Sequence, residues 1–176
     1  MLVGVISDTH DNQFNVLKAA RKFREHGVQL VIHLGDIVAP FTLVTLAKEL
    51  EGVKIEAVFG NNDGEKRLLV QKANELKINI DEPRSIVINN KKLFLLHGIG
   101  TFDTTQEVVN ALAESRKWDA ILYGHTHEPR VEYINGVLVL NPGDASGYLS
   151  YLTKAKPSIA LLDVEVMKAR IVNLED

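Results

Sequence analysis

Cysteine is missing from all 176 residues. That excludes a disulfide framework, a thiolate metal site and a cysteine nucleophile, and leaves only nitrogen and oxygen ligands for any metal. An excess of either charge is missing too: 20 Lys and Arg face 23 Asp and Glu, for a formal net charge of −3 and a pI near 6.1. With no basic stripe, a stable nucleic-acid complex is not expected. Nowhere do about 18 apolar residues run without a charge, which excludes a transmembrane helix. The start, "MLVGVISD", has no basic n-region and too short an apolar run for a signal peptide, so the expected location is cytoplasmic. Repeats, low-complexity tracts and linkers are also absent. Hydrophobic residues make up 45% of the chain and charged ones 24%, which suits one domain over residues 1–176 with a full core.

What is present begins with short apolar runs rich in β-branched residues. "MLVGVI" and "VQLVIHL" read as strands, and "NQFNVLKAARKFREH" between them carries Phe14, Leu17, Ala20 and Phe23 at helical spacing. A second helix, "APFTLVTLAKEL", leads to a third strand, "VKIEAVF", giving a doubly wound parallel half. The rhythm then changes. "SIVINNKKLFLLHG" reads as a hairpin turning at Asn89-Asn90, and "RVEYINGVLVLN" as another with Asn135-Gly136 in a type I′ turn. One helix is expected between them, from Thr105 to Arg116, with Thr104 and Glu107 as a capping box. A strand pair near "PSIALLDVEVMKARIVNLE" closes the chain. Parallel βαβ units followed by hairpins predict an αββα sandwich: two facing mixed β-sheets flanked by helices.

The polar residues follow one pattern. Each apolar run ends in a potential metal ligand: Asp8 and His10 after "LVGVIS", Asp36 after "LVIHLG", Asn61 after "IEAVFG", His97 after "KLFLL", and His125 and His127 after "DAILYG". The carboxyl edge of an open α/β sheet is where loops converge on a rigid frame. Residues i and i+2 of an extended chain share a face, which pairs Asp8 with His10 and His125 with His127. Gly35, Gly60 and Gly124 each precede a candidate ligand, and Gly98 follows one, where backbone must crowd a centre. The set suits Mn, Fe, Zn, Ni or Co and exceeds what one ion takes. A bridging carboxylate would divide it between two ions, and Asp36, central in the order, is the bridge candidate.

In order, "DTH", "GD", "GNND", "HG" and "GHTH" stand at spacings of about 25 to 35 residues. This pattern resembles the calcineurin-like metallophosphoesterases, whose blocks are D-x-H, G-D, G-N-H-[DE], H-G and G-H-x-H. The length and the stretch "NPGDASGYL" are most similar to the small single-domain YfcE-type phosphodiesterases. The resemblance implies that Asp8, His10, Asp36 and His127 hold one divalent ion and Asp36, Asn61, His97 and His125 a second, manganese being the first choice. It also implies attack of a metal-bridging hydroxide on a small phosphoester, a diester being favoured. Two divalent ions would turn the formal −3 net positive, which suits an anionic substrate. Homo-oligomerisation is left open.

Only the third block departs: Asn62 replaces the family's histidine, so a phosphate contact is retained but a proton donor is lost. Asp63 is expected to cap the following helix and to orient a ligand from behind. Asn12, rather than Asp11, is expected to cap the first helix. His33 inside a strand and His26 at a helix end are read as structural, and the mixed charges of "REHG" and "GEKR" as solvated surface. Two other readings fit the sequence less well. The same fold with an eroded metal centre serves as a protein-binding scaffold in the retromer coat, but all seven ligand positions here hold ligand residues. A flavodoxin-like nucleotide binder would need a Gly-rich phosphate loop after a strand, and none follows.

Overall fold

The computed structural model describes residues 1–148 and 156–175. β1 (Leu2–Ile6), α1 (Gln13–Glu25), β2 (Leu30–His33), α2 (Pro40–Glu49), β3 (Lys54–Val58), α3 (Lys66–Glu75) and β4 (Asn79–Asp81) alternate as three βα steps. They are followed by β5 (Arg84–Ile88), β6 (Lys91–Leu95), α4 (Phe102–Glu114), β7 (Ala120–Leu122), β8 (Arg130–Ile134) and β9 (Val137–Asn141). Finally β10 (Ser158–Asp163) and β11 (Lys168–Asn173) return to the first sheet. That sheet runs β11-β10-β1-β2-β3-β4, parallel from β1 to β4 and antiparallel at β10 and β11. The second runs β5-β6-β7-β9-β8, with parallel pairs in the middle and an antiparallel hairpin at each edge. The αββα sandwich expected from the sequence is therefore present.

Strand alternation sorts the apolar residues into three layers. Val3 and Val5 of β1, with Leu30 and Ile32 of β2, pack between the sheets against Leu93, Leu95, Ala120, Leu122, Leu138 and Leu140. The other face of the first sheet meets Val16, Ala20 and Phe23 of α1, Leu43 and Leu46 of α2, and Leu69 and Ala73 of α3. On the far side, Ile121 and Val139 pack with Val109 and Ala113 of α4. Gly4 faces the helix layer, and a Cβ there would stand 2.5 Å from the Phe23 ring. Burial on both faces explains why β1, β2 and β9 are nearly continuous apolar runs.

Most local expectations hold. Asn12 is the N-cap of α1, its side chain accepting from Asn15 N–H. His26 is its C-cap, with Nδ1 2.8 Å from Lys22 O. Asn89 and Asn90 both have positive φ, as do Asn135 and Gly136, which is what a type I′ turn requires. Two caps differ. α4 starts at Phe102, and its N-cap is Thr101, whose hydroxyl accepts from Thr104 N–H, so Thr104 and Glu107 form no capping box. The competing Thr three residues upstream offers the same chemistry, and Gly100 with φ +62° lets the chain turn one step earlier. At α3 the N-cap position is Glu65, with no side-chain capping bond, rather than Asp63, whose carboxylate accepts from Val38 and Gly60 N–H instead. β4 is the one strand that was not foreseen; "NID" is short and polar on both sides of Ile80 and gives no periodic signal.

Among the described residues no helix is long and apolar enough to cross a membrane.

Candidate metal centre

All seven candidate ligands lie beyond the carboxyl ends of β1, β2, β3, β6 and β7. The loops carrying them are laced together by backbone bonds: Asp8 N–H to Gly35 O and His10 N–H to Asp36 O, both 3.0 Å. The segment after β9 closes onto the same place, with Ala145 N–H to Ser7 O at 3.1 Å and Ser146 N–H to Asp8 O at 3.0 Å. Asp8, His10, Asp36, His125 and His127 all have φ between 42° and 67°. Left-handed backbone is tolerated best by Gly, Asn, Asp and His, so these residue types suit the turn as well as the chemistry.

The glycines are required by crowding. A Cβ on Gly98 would stand 2.5 Å from His125 Cβ, one on Gly35 would be 2.8 Å from His97 Nδ1, and one on Gly60 would overlap Asp36. At Gly124 a Cβ would run into Ser7 Oγ and reach 2.9 Å from Asp8 Oδ2. No side chain fits at any of these positions without displacing a ligand or its immediate support.

The donor atoms form two overlapping groups. Asp8, His10 and His127 bring one ligand atom each within 4.8 Å of one another, and so do Asp8, Asp36 and His97. Asp8 is fully buried. Its Oδ2 accepts from His125 N–H at 3.1 Å, while Oδ1 has no hydrogen-bond partner. Oδ1 lies 3.3 Å from His127 Nε2 and 3.9 Å from His97 Nε2. His10 Nε2 is also buried without a hydrogen bond, 3.6 Å from Asp36 Oδ2. The other Asp36 oxygen, Oδ1, is 3.4 Å from His97 Nε2. Asp36 thus turns one oxygen toward each group.

Three of the four imidazoles are oriented from behind. His97 Nδ1 lies 2.7 Å from Leu34 O, which makes it the donor and aims Nε2 at the carboxylates and at Asn61 Oδ1, 3.0 Å away. His125 Nε2 lies 2.9 Å from Gly100 O, which leaves Nδ1 as the free nitrogen. His127 Nδ1 is 3.2 Å from Asp144 Oδ2. Carboxylate or carbonyl partners of this kind are the usual support of metal-binding imidazoles.

Burial pushes the Asp8 carboxyl above its ordinary range, the facing His97 and His127 offsetting only part of that. Burial acts on Asp36 in the same direction, but hydrogen bonds from His97 and Asn62 win and hold it well below the usual carboxylate range. Burial alone would lower His97; Asp36 and Asp8 beside it carry it up to about 9. His127 is likewise raised, by Asp144 and Asp8 against burial. The buried carboxylates and the facing His97 and His127 rings thus each shift the other toward its charged form, against burial.

Asn62 does something the sequence does not suggest. Its backbone N–H donates to Asp36 Oδ1 at 2.8 Å and its side-chain Nδ2 to Asp36 Oδ2 at 2.7 Å, so both arms clasp one carboxylate. Asp63 accepts from Val38 N–H at 2.6 Å and Gly60 N–H at 2.7 Å, tying the loops that follow β2 and β3. Asp11 accepts from Gln13 and from Thr42 Oγ1, linking the starts of α1 and α2. Lys66 pairs with Glu82 at 2.8 Å.

Three supporting residues escaped the reading of the sequence, and all lie in "NPGDAS" or beside the first ligands. Asp144 holds His127. Asn141 donates through Nδ2 to Gly124 O at 2.9 Å and Thr126 Oγ1 at 3.0 Å, fixing the turn that carries His125. Thr9 bonds His33, as described below. The available signal was an Asn-Pro-Gly-Asp cluster directly after an all-apolar strand, the same strand-end position that marked the ligands.

A calcineurin-like phosphoesterase superfamily domain matches residues 1–167. The chain belongs to the calcineurin-like phosphoesterase superfamily. Within it, this phosphoesterase is 39% identical over 180 residues to phosphodiesterase MJ0936 of Methanocaldococcus jannaschii, covering 99% of this chain and 100% of the relative. It is 28% identical over 152 residues to phosphodiesterase YfcE of Escherichia coli K12, covering 80% and 77% of the two chains. A solved archaeal phosphodiesterase superposes with a TM-score of 0.83 at 38% identity, over 98% of this chain and 99% of that one. The YfcE-like phosphoesterase is accordingly a metal-dependent hydrolase, and its donor set fits divalent cations: an unpartnered buried carboxylate oxygen faces imidazole nitrogens already oriented from behind.

Proposed function

We propose that this phosphoesterase hydrolyses phosphodiesters at a two-metal centre. The observation that carries the reading is the unpartnered Asp8 Oδ1 at the junction of two ligand groups. A buried carboxylate oxygen that makes no hydrogen bond and only faces imidazole nitrogens is costly, and a bound cation would relieve that cost. Asp8, His10, Asp36 and His127 would hold one divalent ion, and Asp36, Asn61, His97 and His125 the other. Manganese is the first candidate, with nickel, iron, zinc and cobalt suited to the same donors. Such ions, when bound, polarise a phosphoryl oxygen and supply hydroxide at neutral pH.

The residues of the chain define the rest. The Asn62 clasp keeps Asp36 ionised and fixes which oxygen faces which group. Leu34 O and Asp144 face the Nδ1 atoms of His97 and His127, which leaves each Nε2 turned toward the carboxylates for a cation to share. The cavity of about 210 Å³ is lined by His10, Asp36, Asn61, Asn62, His125 and His127, with Phe102 and Tyr148 at its rim. No lysine or arginine stands among these lining residues, so a single phosphate charge suits the site better than a polyphosphate. A diester also matches the names of the two curated relatives.

The test is turnover of a panel of phosphodiesters and phosphomonoesters by chelator-stripped protein, reloaded with one divalent ion at a time. Stripped protein should be inactive, manganese or a similar ion should restore it, and diesters should exceed monoesters. Full activity in protein shown by elemental analysis to be metal-free would refute the reading. Asp36→Asn should lose both metal equivalents, whereas His10→Ala should lose one; two equivalents bound at native affinity by Asp36→Asn would remove the bridge.

A further inference from the structure

Two large rings at the cavity have no part in holding a cation. Phe102 is 42% exposed and Tyr148 65% exposed, yet both line the cavity that holds the candidate ligands. Scattered exposed aromatics are ordinary, but convergence on one small polar cavity is not. The Phe102 ring stands edge-on to His125, centroids 5.3 Å apart, and 6.2 Å from His127. Tyr148 approaches from a different segment, 5.9 Å from the His10 ring. His10 and His127 themselves stack at 5.4 Å, so the two rings flank the imidazoles.

The backbone that carries both rings is tied to the site. The Thr105 hydroxyl donates to Ile99 O and accepts from Ile99 N–H, each at 2.9 Å, and Gly100 O takes His125 Nε2, which pins the approach to Phe102. Tyr148 N–H donates to Ser146 Oγ at 2.9 Å, and Ser146 Oγ donates to Asp144 Oδ1 at 2.6 Å. Asp144 in turn holds His127. Rings carried on a restrained backbone have only their own side-chain rotations to lose when a ligand stacks on them.

From this arrangement we infer that Phe102 and Tyr148 form a subsite for a planar aromatic group, aryl or nucleoside, esterified to the phosphate. The inference rests on the diesterase reading above and names the substrate class it takes. A flat ring gains offset or edge-on contact with both side chains, which a saturated ring of the same size cannot match. Among the described lining residues, Phe102 and Tyr148 are the large apolar groups that an ester group can meet.

The test compares p-nitrophenyl phenyl phosphate with p-nitrophenyl cyclohexyl phosphate, which share a leaving group, on manganese-loaded protein. The phenyl ester should be favoured about tenfold in kcat/KM, mostly through KM, the size one aromatic contact commonly reaches. Phe102→Leu and Tyr148→Leu should each shrink that ratio at least threefold, while Phe102→Tyr should keep it. Thymidine 5′-(p-nitrophenyl phosphate) distinguishes a nucleoside from a simple aryl group by whether it exceeds the phenyl ester. Calorimetric binding of phenylphosphonate against cyclohexylphosphonate repeats the comparison without turnover. A phenyl preference unchanged by both leucine variants, or absent from the wild type in either readout, overturns the subsite. Diesters cleaved without aryl preference would sink the subsite and leave the diesterase reading standing. Phenylphosphonate preferred through Phe102 in a protein that cleaves no diester would do the reverse.

Discussion

His33 Nε2 lies 3.0 Å from Thr9 Oγ1, with both residues fully buried. The direction of the bond is fixed: Gly35 N–H donates to His33 Nδ1 at 3.2 Å, so the proton must be on Nε2, and Thr9 Oγ1 passes its own to Asp36 O at 3.3 Å. One neutral ring thereby joins the loop bearing Asp8 and His10 to the loop bearing Asp36. Burial keeps it neutral, pushing its value down to about 3. Thr9→Val, nearly the same in shape, should strand the Nε2–H and cost about 1 to 3 kcal/mol. Chemical denaturation should show a lower midpoint at constant slope; an unmoved midpoint would mean that the chain does without this link.

Asp144 is the partner of His127 that a search for ligands alone overlooks. Asp144→Asn keeps the size but removes the charge behind the ring, and should weaken one metal equivalent by about tenfold, the lower end of what such partners usually contribute. Calorimetric titration of stripped protein, read as two sites, checks this. Equal weakening of both sites would point to a general loosening instead.

Glu56 makes a clamp between the sheets. Its carboxylate on β3 pairs with Lys54 at 2.5 Å and with Arg84 of β5 at 2.8 Å, and accepts from Asn79 at 3.0 Å. Burial would raise its pKa, but Lys54 and Arg84 lower it below the ordinary 4.5. A folded value below the unfolded one gives stability that is complete above the unfolded value and is lost as pH falls through the folded one. Glu56→Gln should therefore cost about 1 to 3 kcal/mol at pH 7. The gap to wild type should close as the pH falls below 4.5. Parallel denaturation midpoints at every pH would contradict it.

Asn62 stands where the family's histidine is expected, and its amide cannot give up a proton at neutral pH. General-acid help, typically worth about 10² to 10⁴-fold, is therefore missing from this position. Aryl diesters with acidic leaving groups should be cleaved well and alkyl diesters slowly, with partial recovery of the alkyl esters in Asn62→His. Plotting kcat/KM against leaving-group pKa for both proteins decides it: a shallow wild-type slope that Asn62→His leaves alone would show another proton source.

The fold was legible because burial on one or both faces writes directly into residue spacing: β1, β2, β9, β10 and helix α1 are all visible as periodic or continuous apolar runs. β4 was not, since an edge strand of three residues with polar flanks carries no period. Candidate ligands were legible because polar residues at the ends of apolar runs are costly without a purpose. Their supports were not. Asn141 and Asp144 act through contacts with residues 15 to 17 positions away, and Thr9 through a strand 24 away. Asn62 was read by its chemistry alone, whereas its place beside Asp36 is a matter of loop geometry.

Asp8, near the start of the sequence, is held by Ser146 from the segment that follows β9. During synthesis the first carboxylate therefore leaves the ribosome about 140 residues before the segment that seats it. At ordinary elongation speeds of about 5 to 20 residues per second, that is a delay of roughly 7 to 30 seconds. Throughout that interval Asp8 and His10 are loose ligands on an unfinished chain. A divalent ion held through Asp8 and His10 would therefore meet its complete site only after the segment around Ser146 has emerged.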